Sequence, residues 1–169
     1  GTMAGNRRLS IGLPAEHNGG EKRFPLTPEG VALLTKEGYR VFVESGAGEG
    51  IKYSDLHYTE AGAQATTASE VFRCDVVLKI TPLNEQEAAM IRPVFLLTLL
   101  QPQYQSASVV RILMQKKVTA VAIDLITDER GRYLFADILD EIDGRAAIVL
   151  ASELLSNRSG GKGVLLGGI

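Results

Sequence analysis

The strongest constraint on the fold is the alternation of short apolar runs with stretches of helical spacing. Each run is followed by a helix-like pattern of about ten residues or more, as in parallel strands joined by crossover helices. The sequence therefore predicts a single α/β domain built on an open, doubly wound parallel sheet, similar to flavodoxin and Rossmann folds. The expected strands are residues 9–13, 39–44, 76–80, 95–100, 118–123 and 164–166.

Capping signals place the first helix. Thr27 is a good N-cap, Pro28 is suited to the first helical position, and Gly38 stops the helix. A helix is also predicted to begin at Ser54. Further helices are expected at residues 68–72, 84–91, 106–116 and 138–155.

Size and charge exclude several classes of protein. The chain has 169 residues, enough for one domain with a core of its own. The apolar stretch 94–100 is too short to span a bilayer, and no signal peptide is indicated. Eighteen basic and twenty acidic residues are intermixed, which argues against a nucleic-acid partner.

Cysteine and histidine are scarce. The one cysteine, Cys74, excludes an internal disulfide, and with only His17 and His57 beside it a metal site is not expected. Cys74 is predicted to lie at the start of a buried strand, and both histidines at the surface. The expected setting is reducing and cytoplasmic.

In doubly wound sheets, ligands bind beyond the carboxyl ends of the strands, so the loops after Pro14, Lys79 and Leu100 are candidates. Lys79 stands in an otherwise apolar strand. It either extends its amine to solvent or holds it at a site, where it can polarise a keto group or move a proton.

Two further polar residues lie near strand ends. Arg23 follows the loop after the first strand, and its guanidinium can grip a carboxylate through two parallel hydrogen bonds. The alternative is a solvated loop arginine. Gln101 can hydrogen-bond a substrate carbonyl or carboxamide, or it supplies ordinary loop polarity. The glycine-rich residues 46–50 and 160–163 have neither dinucleotide nor P-loop spacing and are interpreted as turns.

The order of these segments resembles the alanine dehydrogenase and transhydrogenase α-subunit family. Residues 11–16 (Ile-Gly-Leu-Pro-Ala-Glu) and 23–31 (beginning Arg-Phe-Pro-Leu-Thr-Pro) look like its opening strand, Pro-x-Glu and Arg-Val-Ala-x-Thr-Pro. Residues 43–50 resemble its Glu-x-Gly-Ala-Gly turn, and residues 68–79 its Ala-Asp-Val-Val-x-Lys-Val strand. Residues 161–169 are similar to the linker that enters the family's nucleotide domain.

The resemblance implies a domain division and a cofactor. We expect residues 1–6 to be an expression scar or disordered, residues 7–159 to form the family's N-terminal substrate domain, and residues 160–169 to lead into a missing Rossmann domain. That missing domain is implied to bind most of the NAD or NADP, and the full-length protein is implied to self-associate. The fragment alone is expected to be inactive.

The resemblance also implies roles for residues. Arg23 matches the arginine that binds the substrate carboxylate, and Lys79 the lysine near the keto or amino group. Gln101 stands where alanine dehydrogenases have a histidine proposed as proton donor, and glutamine does not titrate. Asp140 replaces a serine near the nicotinamide, which gives it a cofactor-binding position. No metal site is implied.

Three hypotheses follow. The first is the substrate-binding domain of an NAD(P)-dependent amino-acid dehydrogenase, with L-alanine and pyruvate as default substrates among small amino and 2-oxo acids. The second is the nucleotide-binding component of a proton-translocating transhydrogenase with a membrane partner subunit. It is favoured by residues 98–102 and 122–124, which resemble transhydrogenase α subunits. The third is a non-catalytic relative that binds small ligands.

Overall fold

A computed structural model gives the fold. It describes residues 8–17, 23–92, 95–98, 105–122 and 141–156. The strands are β1 (Ser10–Leu13), β2 (Arg40–Glu44), β3 (Gln64–Thr66), β4 (Val76–Lys79), β5 (Phe95–Thr98) and β6 (Thr119–Ala122). The helices are α1 (Pro28–Lys36), α2 (Asp55–Glu60), α3 (Ala68–Val71), α4 (Glu85–Met90), α5 (Ala107–Gln115) and α6 (Glu141–Ser156), with a 3₁₀ turn at Glu49–Ile51.

The six strands form one parallel sheet in the order β3-β2-β1-β4-β5-β6. The chain moves outward from β1 through β2 to β3, then crosses back to β4 and continues in the opposite direction. The strand order therefore reverses between β1 and β4. In doubly wound sheets this reversal opens the crevice where ligands bind, and the predicted fold class is confirmed.

Helix starts follow the capping signals. The Thr27 side chain accepts a hydrogen bond from Gly30 N, and Pro28 occupies the first turn of α1. At the other end Gly38 has φ +98°, which glycine adopts without strain. Asn84 caps α4 in a reciprocal box with Glu87, since each side chain accepts a hydrogen bond from the other residue's N–H.

Buried side chains cover both faces of the sheet. Ile11 and Leu78 belong to a core shared with α1 and α2, whereas Val77 faces the other way, into a core with α4, α5 and Phe72, the residue after α3. Alternation along β4 explains this division because successive strand side chains point to opposite faces. Lys79, two residues after Val77, points to the second face.

Close packing fixes one strand glycine. A Cβ added to Gly12 of β1 would lie 2.2 Å from the carbonyl oxygen of Val71 at the end of α3. Only a residue without a side chain lets α3 approach the sheet this closely. Gly12 therefore sets the seating of α3 on the second face.

One feature differs from expectation. The strand β3 was not predicted, because Gln64–Thr66 is three residues long, partly exposed and polar at one end. The predicted strand at 164–166 lies outside the described residues. Among the helices described, none has the length and apolarity needed to cross a membrane.

Candidate functional site

The site lies where β1 and β4 end side by side. Gly12 and Val77 are register partners in these neighbouring parallel strands, so the residues that follow them emerge at the same edge of the sheet. Glu16 comes three residues after the end of β1, and Lys79 is the last residue of β4. The strand reversal brings these two side chains together.

Glu16 joins the two loops through its carboxylate. Its Oε2 accepts a hydrogen bond from Ile80 N at 2.8 Å. Its Oε1 accepts from Thr81 N at 3.0 Å and from the Thr81 hydroxyl at 2.6 Å. The side chain is only 3% exposed. A carboxylate held by several donors in a buried place fixes the geometry of the chain around it, so Glu16 sets the shape of the loop after β4.

Lys79 is buried among oxygen atoms. Its side chain is 1% exposed, and Nζ lies 3.2 Å from Glu16 Oε1 and 3.7 Å from Glu87 Oε2. It also donates a 3.4 Å hydrogen bond to the carbonyl oxygen of Ala15. The ammonium therefore does not extend to solvent, which removes one of the two interpretations of its position in the sequence. To bind a substrate anion, it would have to turn away from one of these carboxylates.

Glu87 completes this group, which we call the buried triad: Glu16, Lys79 and Glu87. The Glu87 side chain is 6% exposed. Its Oε1 accepts from Asn84 N in the capping box, while Oε2 accepts no hydrogen bond within the described part of the chain. Burying an acceptor without a donor costs about 1–3 kcal/mol. The charge of this oxygen is matched in part by Lys79 Nζ, 3.7 Å away.

The other sequence candidates are not part of the triad. Arg23 follows residues 18–22. Its side chain is exposed, whereas that of Lys79 is buried. Gln101 and Asp140 lie outside the described residues. His17 and His57 are both exposed, as predicted, and His57 accepts a hydrogen bond from Ser54 N at the start of α2.

The described start of the loop after β1 differs from a dinucleotide-binding turn. In the doubly wound nucleotide folds, glycines in this turn let the backbone approach the pyrophosphate. Here residues 14–17 are Pro, Ala, Glu and His, and the glutamate carboxylate is used to hold the loop after β4.

Comparison with known proteins identifies the family. The family model described as "Alanine dehydrogenase/PNT, N-terminal domain" matches residues 12–142, a span that includes Arg23, Lys79 and the whole buried triad. The chain belongs to this family.

Individual members agree with this assignment. An alanine dehydrogenase from Geobacillus stearothermophilus is 30% identical over 163 residues, covering 95% of this chain and 44% of the relative. Among solved structures, an L-alanine dehydrogenase gives a TM-score of 0.68 at 28% identity, over 95% of this chain and 45% of its own. A transhydrogenase from Sinorhizobium meliloti gives 0.65 at 28% identity, over 72% and 37%. The chain thus spans less than half the length of the curated relatives it matches.

Sequence reasoning found Lys79 of the buried triad but did not assign chemistry to Glu16 or Glu87. Both left a signal. Glu16 is the glutamate of the Pro-x-Glu segment in which the resemblance to the alanine dehydrogenase family begins. Glu87 stands three residues after Asn84, the spacing of a capping box. That spacing predicts the hydrogen bond from Asn84 N, but not the burial of the second carboxylate oxygen.

Proposed function

We propose that the full-length protein is an NAD(P)-dependent amino-acid dehydrogenase, with L-alanine oxidation to pyruvate and ammonia as the default reaction. This chain is proposed to supply its substrate-side domain, residues 7–159. The observation that carries the proposal is the family match over residues 12–142. Members named alanine dehydrogenase align with 95% of this chain, and the transhydrogenase structure with 72%.

Arg23 is proposed to bind the substrate carboxylate. It follows the loop after β1, at the edge of the sheet where doubly wound folds bind ligands, and its side chain is exposed and therefore accessible. A guanidinium matches a carboxylate with two parallel hydrogen bonds.

Lys79 is proposed to serve proton transfer or carbonyl polarisation, together with Gln101 as a hydrogen-bonding partner of the substrate. In this role, the Lys79 ammonium would leave its contact with Glu16 or Glu87 in order to contact the substrate. Gln101 cannot titrate, so any proton that moves must use Lys79, water or a residue beyond this chain. Asp140 is proposed to lie near the cofactor, which the remaining part of the protein would bind. Self-association and a cytoplasmic setting belong to the same proposal.

The test is turnover by the full-length protein. With L-alanine and NAD or NADP, we expect production of NADH or NADPH, and Arg23→Gln should raise KM for L-alanine by about tenfold or more, since hydrogen bonds to charged groups contribute about 1.5–3 kcal/mol. Arg73→Gln is the matched control, because Arg73 is also exposed and lies at the opposite edge of the sheet. An unchanged KM in Arg23→Gln would refute the role of this residue.

Absence of turnover with every small amino acid would refute the dehydrogenase proposal. The transhydrogenase alternative, favoured by the Sinorhizobium meliloti structure, would then be tested by hydride transfer from NADH to an NADP analogue with a membrane partner subunit present. Binding of small acids without any redox activity would instead support a non-catalytic relative.

A further inference from the structure

Arg23 lies at the start of a short buried segment. The three residues that follow it, Phe24, Pro25 and Leu26, are buried, and the first and last of them belong to the core that the sheet shares with α1 and α2. The segment leads directly into Thr27, the N-cap of α1. Whatever holds residues 24–26 therefore also restricts where the exposed Arg23 side chain lies.

Tyr58 of α2 contacts both ends of this segment. Its hydroxyl donates a 2.7 Å hydrogen bond to the carbonyl oxygen of Leu26. Its ring meets the Phe24 ring edge to face, with centroids 6.1 Å apart and planes at 74°, an arrangement that aromatic pairs favour. The Tyr58 side chain is fully buried, and this burial raises the pKa of its hydroxyl. The hydroxyl therefore stays protonated and remains a donor to Leu26.

The glycine-rich turn after β2 makes room for the Tyr58 ring. A Cβ added to Gly48 would lie 2.5 Å from Cε2 of Tyr58 and 3.1 Å from its hydroxyl oxygen. Gly48 has φ −90°, which other residues also adopt, so the close approach of the ring and not the backbone conformation requires glycine here. Tyr53, which follows this turn, also meets the Tyr58 ring edge to face, at 6.3 Å. The turn thus seats Tyr58 against the segment next to Arg23.

The Tyr58 hydroxyl does more than fill the core. A phenylalanine would occupy nearly the same space and make the same ring contacts, so packing alone does not need the oxygen. A hydrogen bond is directional, and this one ends on a backbone atom three residues from Arg23. It therefore fixes the course of the backbone beside Arg23 more closely than apolar contacts do. Burial keeps Tyr58 itself from contacting a substrate.

We propose that Tyr58 is a positioning residue for substrate binding, which holds residues 24–26 so that the Arg23 guanidinium is directed at the substrate carboxylate. The inference rests on the proposed role of Arg23 in binding that carboxylate. A guanidinium makes two parallel hydrogen bonds to a carboxylate only when the two groups are aligned, so a small shift of residues 24–26 weakens substrate binding. The reacting atoms are untouched by Tyr58, so the effect falls on KM and not on kcat.

The experiment measures steady-state kinetics of the full-length protein with L-alanine for Tyr58→Phe, Arg23→Gln and the double variant. Tyr58→Phe should raise KM by about threefold or more and leave kcat within about twofold, because it removes one hydrogen bond that acts on binding alone. In the Arg23→Gln background the same substitution should leave KM unchanged, since the side chain that it positions is absent. Tyr53→Phe is the matched control. The Tyr53 ring contacts Tyr58, but its hydroxyl forms no hydrogen bond within the described part of the chain, so KM should not change.

The outcomes separate this inference from the function on which it rests. A raised KM in Arg23→Gln with an unchanged KM in Tyr58→Phe would refute the positioning role alone. An equal rise of KM from Tyr58→Phe with and without Arg23, or an equal rise in Tyr53→Phe, would do the same, because it would assign Tyr58 to the core only. No turnover by the unaltered protein, or an unchanged KM in Arg23→Gln, would overturn the role of Arg23 and the positioning role with it.

A second variant covers the case in which Tyr58→Phe does not fold, as judged by circular dichroism. Phe24→Leu then takes its place, since it removes the edge-to-face contact with Tyr58 but keeps an apolar side chain in the core. The same pattern is expected from it: a raised KM when Arg23 is present and no further rise in Arg23→Gln. A KM equal to that of the unaltered protein would refute the positioning role.

Discussion

At both edges of the sheet a carboxylate joins β1 to a residue next to β4, but the two carboxylates differ in how deeply they are buried. At the carboxyl edge, the Glu16 carboxylate joins β1 to the loop after β4. At the amino edge, Asp75 joins the same two strands, since its Oδ2 accepts from Ser10 N at 2.9 Å and from the Ser10 hydroxyl at 3.1 Å. Each carboxylate also meets a cation: Glu16 meets Lys79 at 3.2 Å, and Asp75 meets Arg92 at 3.0 Å.

Burial separates the two edges. The side chains of Glu16 and Lys79 are 3% and 1% exposed, whereas those of Asp75 and Arg92 are 29% and 46% exposed. Water can replace a lost partner at the amino edge but not at the carboxyl edge. Removing one partner of a buried ion pair costs about 3–5 kcal/mol, while an exposed pair contributes about 0–1 kcal/mol. The carboxyl edge of the sheet, where the ligand crevice lies, is therefore rigid. The amino edge tolerates the loss of a partner from its ion pair.

The largest expected effect is that of Lys79→Met. It leaves Glu16 and Glu87 buried without their cation, so the free energy of unfolding should fall by about 3–5 kcal/mol. Urea denaturation measures this change. Lys36→Met is the matched control, because Lys36 is exposed on α1 and should change stability by less than about 0.5 kcal/mol.

A second substitution shows whether charge is the cause. Adding Glu87→Gln to Lys79→Met removes one of the two unmatched carboxylates, so the double variant should recover part of the lost stability. A double variant no more stable than Lys79→Met alone would mean that packing of the lysine stem, and not its charge, dominates at this edge.

The next effect compares the two joining carboxylates directly. Glu16→Gln and Asp75→Asn are equivalent changes at opposite edges. We expect a loss of about 3 kcal/mol for Glu16→Gln, because the amide directs N–H groups at donors in a buried place, and about 1 kcal/mol for Asp75→Asn. Equal losses in urea denaturation would contradict the contrast between a buried and a hydrated edge.

The sequence predicts the architecture more fully than the site, for physical reasons. A strand buried on both faces is almost entirely apolar, as residues 76–78 of β4 are. Such a run can be recognised from the sequence of the strand alone. The strand Gln64–Thr66 has no such run. It lies at the end of the sheet and pairs with β2 alone, so its backbone pairing and not its side chains defines it.

The buried triad shows the limit of local patterns. Lys79 is conspicuous because a charge interrupts an apolar strand. Glu16 lies in a polar loop, and Glu87 shares its helix with the exposed Glu85, so the neighbouring sequence does not show that either side chain is buried. Their contact depends on the reversal of strand order between β1 and β4, a property of the whole sheet. The strand ends could be predicted; the oxygen atoms around the lysine could not.

The smallest expected effect concerns Cys74, a shielded group beside the hydrated amino edge. The pKa of the Cys74 thiol is raised from an ordinary value of 9.0 to about 11, and burial is the largest cause; a hydrogen bond with Ser10 opposes the rise, and the neighbouring Asp75 carboxylate adds to it. The folded state thus holds this proton more tightly than the unfolded state does. The resulting contribution to stability is complete below pH 9 and is lost as the pH rises through about 11. Between pH 8 and pH 10.5, the free energy of unfolding should therefore fall less in Cys74→Ala than in the unaltered protein, while tyrosines titrate in both.

The same burial of the Cys74 thiol predicts slow alkylation by iodoacetamide at pH 8, with a rate that rises sharply in denaturant. Fast alkylation of the folded protein would show that water reaches this part of the edge as freely as it reaches Arg92.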